Sequence, residues 1–174
     1  VPVVLAVLFL ARCGTAQEDE GDDFVRDVLA EADLATDPGE LESLPPGYAP
    51  DNAREDQLEA LDRANWYRYH SGLPPLDMVE AINKATQAHC DYYVKHISNY
   101  QTGYSPHDEN PAWAEGFTGA APWDRMGHFG YGDGAAEVIA FVHNATGAVD
   151  GWMNTLYHRI PFMDASLTAC GYGA

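Results

Sequence analysis

Histidine and carboxylate side chains stand out in three segments of this chain. The first segment is Tyr157-His158-Arg159, which follows an apolar helical stripe and precedes Pro161. Helical periodicity points His158 away from that stripe, which predicts a position just past the helix end, facing a cleft or solvent. There His158 is either a binding-site ligand, or a cap for the last helix carbonyls beside an ion pair made by Arg159. The residues alone leave both interpretations open.

The other two segments carry carboxylates in apolar or aromatic surroundings. His107-Asp108-Glu109 lies in a stretch rich in Gly, Pro and aromatic residues, 98–136, which predicts a long irregular segment packed against the domain. Glu137 opens an apolar run, 137–142, that predicts a buried strand. Burying a carboxylate without partners is costly, so Glu137 is expected to have either a structural partner or a ligand.

Amphipathic patterns predict three helices that support these segments. The first begins near Asn52 and ends at Ser71-Gly72, and the second covers residues 77–97 with Asp77 as its cap. The third begins after Asn144, which is predicted to be its N-cap, and carries Trp152 on its apolar stripe before ending in the segment that contains His158.

Polar residues on the apolar helix stripes are interpreted as structural. Asn65 interrupts the stripe of the first helix and must form hydrogen bonds if it is buried. His89 and His96 lie on the stripe of the second helix, where histidines are more often hydrogen-bonded core residues than ligands.

The charge of the chain excludes one class of partner. The formal net charge is −18, of which −10 falls on residues 17–49 and −9 on residues 50–174, with Arg12 adding one positive charge. Nucleic-acid binding depends on clustered Lys and Arg at phosphates, and no such cluster is present in the sequence. The acidic stretch 17–49 is expected to be a disordered tether, and residues 50–174 the folded domain.

The N-terminus predicts export. Residues 1–11 form an apolar run that suits the core of a signal peptide and is too short to span a bilayer, so 1–16 is interpreted as a signal. Processing is expected either before Cys13, which would become a lipid anchor and the only membrane attachment, or after Ala16. Both alternatives place the protein outside the cytoplasm. Cys90 and Cys170 either form a disulfide after export or remain two buried thiols.

Several of these residues resemble a known family. Trp152-Met-Asn-Thr-Leu-Tyr-His158-Arg159-Ile-Pro161, Phe117-Thr-Gly119 and the Asn65-Trp-Tyr-Arg68 segment are similar to sequences of the bacterial CAP superfamily, which includes cysteine-rich secretory proteins, venom antigens and pathogenesis-related proteins. The resemblance implies an α+β fold, an α-β-α sandwich with a central antiparallel sheet flanked by helices. It implies structural roles for Asn65, Arg68, His89, Trp152 and Arg159. It also implies further strands after Ala174, so the sequence is expected to be a C-terminally truncated fragment.

The same resemblance implies a cleft. Its residues would be His107, Glu137 and His158, with His107 and His158 as ligands of zinc or another divalent cation. The family's second acidic position corresponds to Thr155, so a full set of two histidines and two acids is not expected. Two imidazoles and a carboxylate suit a zinc site with an open position.

Three functions remain open at this point. The favoured one is an exported binding module for a cell-surface, lipid or protein ligand, without enzymatic activity. The alternatives are a metal-dependent hydrolase of the peptidase type that uses the same cleft, and a structural envelope protein. No motif for a Ser or Cys nucleophile and no His-Glu-x-x-His motif is present in the sequence.

Overall fold

The computed structural model describes residues 4–11, 47–132 and 135–174. The described helices are α1 (Glu55–His70), α2 (Glu80–Lys95), α3 (Ile97–Tyr100), α4 (Pro122–His128), α5 (Ala145–Met153) and α6 (Leu156–Phe162). The described strands are β1 (Val4–Ala11), β2 (Asp77–Met78), β3 (Ala135–Val142) and β4 (Ala169–Gly173). None of the helices in this part of the chain has the length and hydrophobicity that crossing a bilayer requires.

The four strands form one mixed sheet in the order β2-β4-β1-β3. β1 pairs antiparallel with both β3 and β4, whereas β2 pairs parallel with β4. The expected wholly antiparallel sheet is therefore wrong at β2. Asp77 and Met78 pair with Ala169 and Cys170, far along the chain, and long connections of this kind permit parallel pairing.

Helices cover both faces of the sheet. On β3, Val138 packs into a core with α1, α5 and α6, whereas the next residue, Ile139, packs into a second core with α2 and α4. Neighbouring side chains of a strand point to opposite faces, so the two cores lie on opposite sides of the sheet. The combination of helices with a small sheet agrees with the expected α+β class.

Buried polar side chains of α1 tie that helix to irregular backbone. Asn65 donates to the Leu76 carbonyl and accepts from the Leu76 amide, at 3.0 and 2.7 Å. Arg68, which is fully buried, donates to the carbonyls of Pro74, Phe162, Asp164 and Leu167. Burial lowers the pKa of Arg68 below its usual value. These two side chains satisfy backbone groups that no helix or strand pairs.

Two predicted helix starts have different outcomes. Asn144 caps α5, where its side chain accepts a hydrogen bond from the Gly147 amide at 2.6 Å, and the prediction is confirmed. The prediction that Asp77 caps the second helix is wrong. Asp77 lies in β2, where its carboxylate accepts from the Tyr48 amide at 2.7 Å, and α2 begins only at Glu80.

The two cysteines of the domain are not disulfide-bonded, and both are buried. Burial raises the pKa of the Cys170 thiol to about 12, so this thiol is protonated and unreactive at neutral pH. Cys90 and Cys170 are therefore two separate buried thiols and not the disulfide that was the other predicted alternative.

Residues 4–11 serve as a strand between β3 and β4. Eight register pairs join β1 to β3 and five join it to β4, so β1 connects the two halves of the sheet. These are the residues predicted to form the core of an export signal, and removal of residues 1–16 would leave facing edges of β3 and β4 unpaired. Export processing stays a prediction. Cys13 and residues 17–46, which include most of the predicted tether, lie outside the described residues. Tyr48 and Ala49, by contrast, contact the domain.

A proline at Val7 tests whether β1 belongs to the folded protein. Val7 lies opposite Ile139 on one side and Gly173 on the other, and proline removes an amide donor from the middle of the strand. We expect Val7→Pro in the full chain to lower the free energy of unfolding by roughly 1–3 kcal/mol in urea denaturation. Val7→Ile keeps the amide and is the control. Equal stability of both variants would mean that the sheet does not use this strand.

Candidate functional site

The segment between α2 and β3 is packed against α2, as its aromatic residues predict. The Tyr100 hydroxyl donates to the Asp108 carbonyl at 2.7 Å, and the Tyr92 hydroxyl donates to the Asn110 carbonyl at 2.9 Å. Burial raises the pKa of both tyrosines, so both hydroxyls stay protonated donors. These two hydrogen bonds attach the His107-Asp108-Glu109 segment to α2 and α3.

Glu137 occupies the beginning of β3 with its side chain only 2% exposed. One carboxylate oxygen accepts from His107 Nδ1 at 2.8 Å, and the other accepts from Arg125 Nη2 at 2.6 Å. The buried charge therefore has two partners from two other segments, which offset its desolvation. The sequence had left a structural partner and a ligand open for Glu137, and the described contacts are with structural partners.

His107 is the exposed partner of Glu137. Its side chain is 43% exposed, and its backbone amide donates to the Ser105 hydroxyl at 3.2 Å. Because a carboxylate accepts, the ring donates from Nδ1 to Glu137, which leaves the Nε2 lone pair for a ligand.

His158 lies in a separate helix, α6, rather than in the predicted loop. α5 ends at Met153 and Thr155 is the N-cap residue of α6, which extends through Pro161. The loop prediction fails because the proline lies in the last turn of a helix only seven residues long, where few backbone bonds depend on it. His158 is half-buried, and Arg159 is exposed.

Thr155 fixes the His158 ring. The Thr155 hydroxyl oxygen lies 2.7 Å from His158 Nδ1 and 3.2 Å from the Trp152 carbonyl oxygen, so it holds the ring from the Nδ1 side. Nδ1 of His158 thus faces the Thr155 hydroxyl, and Nε2 is the ring nitrogen on the other side, as it is for His107. Trp152 itself is buried and stacks on Phe162 with ring centroids 6.0 Å apart, which anchors the α5–α6 corner.

The structure brings His107 and Glu137 together but does not assemble the expected three-residue ligand set. The described part of the chain contains no group of three His, Cys, Asp or Glu side chains placed to hold a metal ion. Both oxygens of Glu137 already accept hydrogen bonds, so this carboxylate supports His107 instead of acting as a ligand. The donor chemistry that suits a divalent transition metal is an imidazole nitrogen, and the described contacts hold the rings of His107 and His158 separately, each from its Nδ1 side.

A buried network behind His107 was not predicted as part of the site. Glu109 and Arg125 are fully buried, and Arg125 Nε lies 3.9 Å from a Glu109 oxygen. Glu109 also accepts from the amides of Thr118 and Gly119, at 2.8 and 3.4 Å. A Cβ at Gly119 would lie 2.6 Å from the Asp124 Cβ, so glycine is required for this loop to reach the carboxylate.

His89 completes the network from α2. Its Nδ1 lies 3.0 Å from Glu109 and its Nε2 lies 2.8 Å from the Pro106 carbonyl, so both ring nitrogens face oxygens. The signal available in the sequence was the pair of charged residues, Glu109 and Arg125, inside a segment otherwise rich in aromatic residues and glycine.

Neutralising Glu109 tests the network. We expect Glu109→Gln to lower the free energy of unfolding by roughly 3–5 kcal/mol, because it removes the carboxylate that buried His89 faces and one of the two that buried Arg125 faces. Chemical denaturation measures the change. Glu115→Gln is the matched control, since Glu115 is an exposed carboxylate paired with Lys95, and it should change stability little. Comparable losses in both variants would contradict a structural role for buried Glu109.

Comparison with known proteins identifies the family. A family model described as CAP, the Cysteine-rich secretory protein family, matches residues 61–174, which is more than half of the chain. Searches of curated proteins and of solved structures give no match. The matched range begins within α1 and includes His107, Glu137 and His158. This chain belongs to the CAP family, the Cysteine-rich secretory protein family.

Proposed function

We propose that this CAP-domain protein is an extracellular or envelope-bound binding module. Its cleft takes a divalent cation, zinc being the first candidate, through Nε2 of His107 and of His158. The observation that carries the proposal is that each imidazole has its Nδ1 held by another side chain, Glu137 or Thr155. Holding Nδ1 in this way is how proteins orient histidine ligands and fix their tautomer.

The proposed metal would join two imidazoles that are each oriented by a neighbouring side chain. Two fixed imidazoles form part of a zinc coordination sphere and leave positions for water or for ligand oxygens. A bound cation would supply a Lewis acid that attracts carboxylate, phosphate or carbonyl groups of a cell-surface, lipid or protein partner. Glu137 orients His107 and adds negative charge behind it.

Two further properties support a module outside the cytoplasm. The acidic stretch 17–49 suits a tethered protein, and CAP domains are commonly secreted. The high negative charge opposes binding to nucleic acid and raises the local concentration of cations near the surface.

Zinc titration of the full chain by calorimetry tests the proposal. We expect one-to-one binding that is lost in His107→Ala and in His158→Ala. Glu137→Gln should weaken binding about 10–100-fold, because it supports a ligand without being one. His143→Ala is the control. This exposed histidine follows the far end of β3, about 20 Å along the strand from Glu137.

The outcomes separate the three functions. Binding that survives both cleft variants, or no binding by the folded chain, would overturn the metal-dependent module. Peptide turnover by the zinc-loaded protein, absent in His158→Ala, would establish the hydrolase alternative. Cleft variants without any effect on ligand binding or cellular phenotype would favour a structural envelope protein.

A further inference from the structure

The orientation of His107 depends on a carboxylate that is itself held from behind. Glu137 has one oxygen on His107 Nδ1 and the other on Arg125 Nη2, so the two contacts lie on opposite sides of one carboxylate. The shorter contact, 2.6 Å, is the one to the guanidinium. A carboxylate rotates about its terminal bond with little resistance, and a fixed partner on one oxygen therefore decides where the other oxygen points.

Arg125 also holds the backbone of the residue that it orients. Nη2 donates to the His107 carbonyl at 3.1 Å, and Nη1 donates to the Ala120 carbonyl at 3.4 Å. The same guanidinium thus attaches the loop at His107 and fixes the acceptor for the His107 ring. Its fully buried position at α4 limits competition from water for these contacts.

We infer that Arg125 is a positioning residue for the cleft: it fixes the Glu137 carboxylate and the His107 backbone together, and thereby keeps the His107 proton on Nδ1 and Nε2 open. The inference deepens the proposed function and relies on it only for the identity of the ligand. Lysine cannot replace arginine here, because an ammonium is a compact point charge and cannot present several fixed N–H groups in one plane. Without the guanidinium, Glu137 turns and His107 populates both tautomers.

The tautomer of His107 can be measured without any metal. We would label the full-length protein with ¹⁵N-histidine, remove metals with a chelator, and record long-range proton–nitrogen correlations at alkaline pH. The spectrum of His107→Ala assigns the His107 signals. In the wild type we expect a protonated Nδ1 and an unprotonated Nε2. A wild-type spectrum with the proton on Nε2 overturns the inference before any variant is made.

Arg125→Lys and Arg125→Met provide the direct test. We expect both tautomers of His107 in each variant that folds, and a zinc affinity about 10–100-fold weaker than that of the wild type. If Arg125→Met does not fold, Arg125→Lys keeps a buried positive charge and carries the test. A folded Arg125→Lys variant in which His107 keeps a single Nδ1–H tautomer overturns the inference.

Arg68→Lys is the matched control for stability. Arg68 is also a fully buried arginine, but its partners are backbone carbonyls near residues 74 and 162–167. We expect Arg68→Lys to lower stability while the His107 tautomer stays as in the wild type. The same tautomer change in Arg68→Lys would show that general loosening, not Arg125, is responsible, and would overturn the inference.

The tautomer and the metal titration fail independently. A wild type with the expected tautomer but no zinc binding removes the proposed function and leaves the role of Arg125 intact. A folded Arg125→Lys variant with the wild-type tautomer and unchanged zinc binding removes the role of Arg125 and leaves the proposed function intact.

Discussion

Burial of the Glu137 carboxylate is the constraint on which the packing of the loop before α4 depends. A charged group in a sheet core is tolerated only with close partners, and here the partners come from the loop before α4 and from α4 itself. The loop must therefore close over the beginning of β3. That closure also requires Gly119, which lets the chain reach Glu109. It further requires the tyrosines of α2 and α3, whose hydroxyls donate to carbonyls of the loop.

Two buried arginines solve the same problem on the two faces of the sheet. Arg68 satisfies carbonyls of the turn after α6, and Arg125 satisfies carbonyls of the cleft loop. Irregular segments carry backbone groups that no ladder pairs, and a planar guanidinium can reach several of them at once. The difference is that Arg125 also faces two carboxylates, so its charge is balanced locally while that of Arg68 is spread over carbonyl dipoles.

Local rules predicted the parts of the structure that local interactions determine. Apolar periodicity located α1, α2 and α5, the cost of burial predicted hydrogen bonds for Asn65 and His89, and the position of Glu137 predicted a partner. Pairing between distant segments was not predictable in this way. An apolar run such as 4–11 suits a signal core and a central strand equally, and Asp77 suits a helix cap and a short strand. Which of these applies depends on residues some 90 to 165 positions away.

The departure at Thr155 shows what the cleft gains from a neutral support. The second acidic position of the CAP family corresponds to Thr155, and an acid there would orient His158 and also place a negative charge beside it. The threonine hydroxyl orients the His158 ring and adds no charge beside it, because a hydroxyl is neutral. His107 receives orientation and charge together from Glu137, so the two histidines differ in electrostatic surroundings although each leaves Nε2 open. In the proposed cation site, His107 would therefore contribute more to binding than His158.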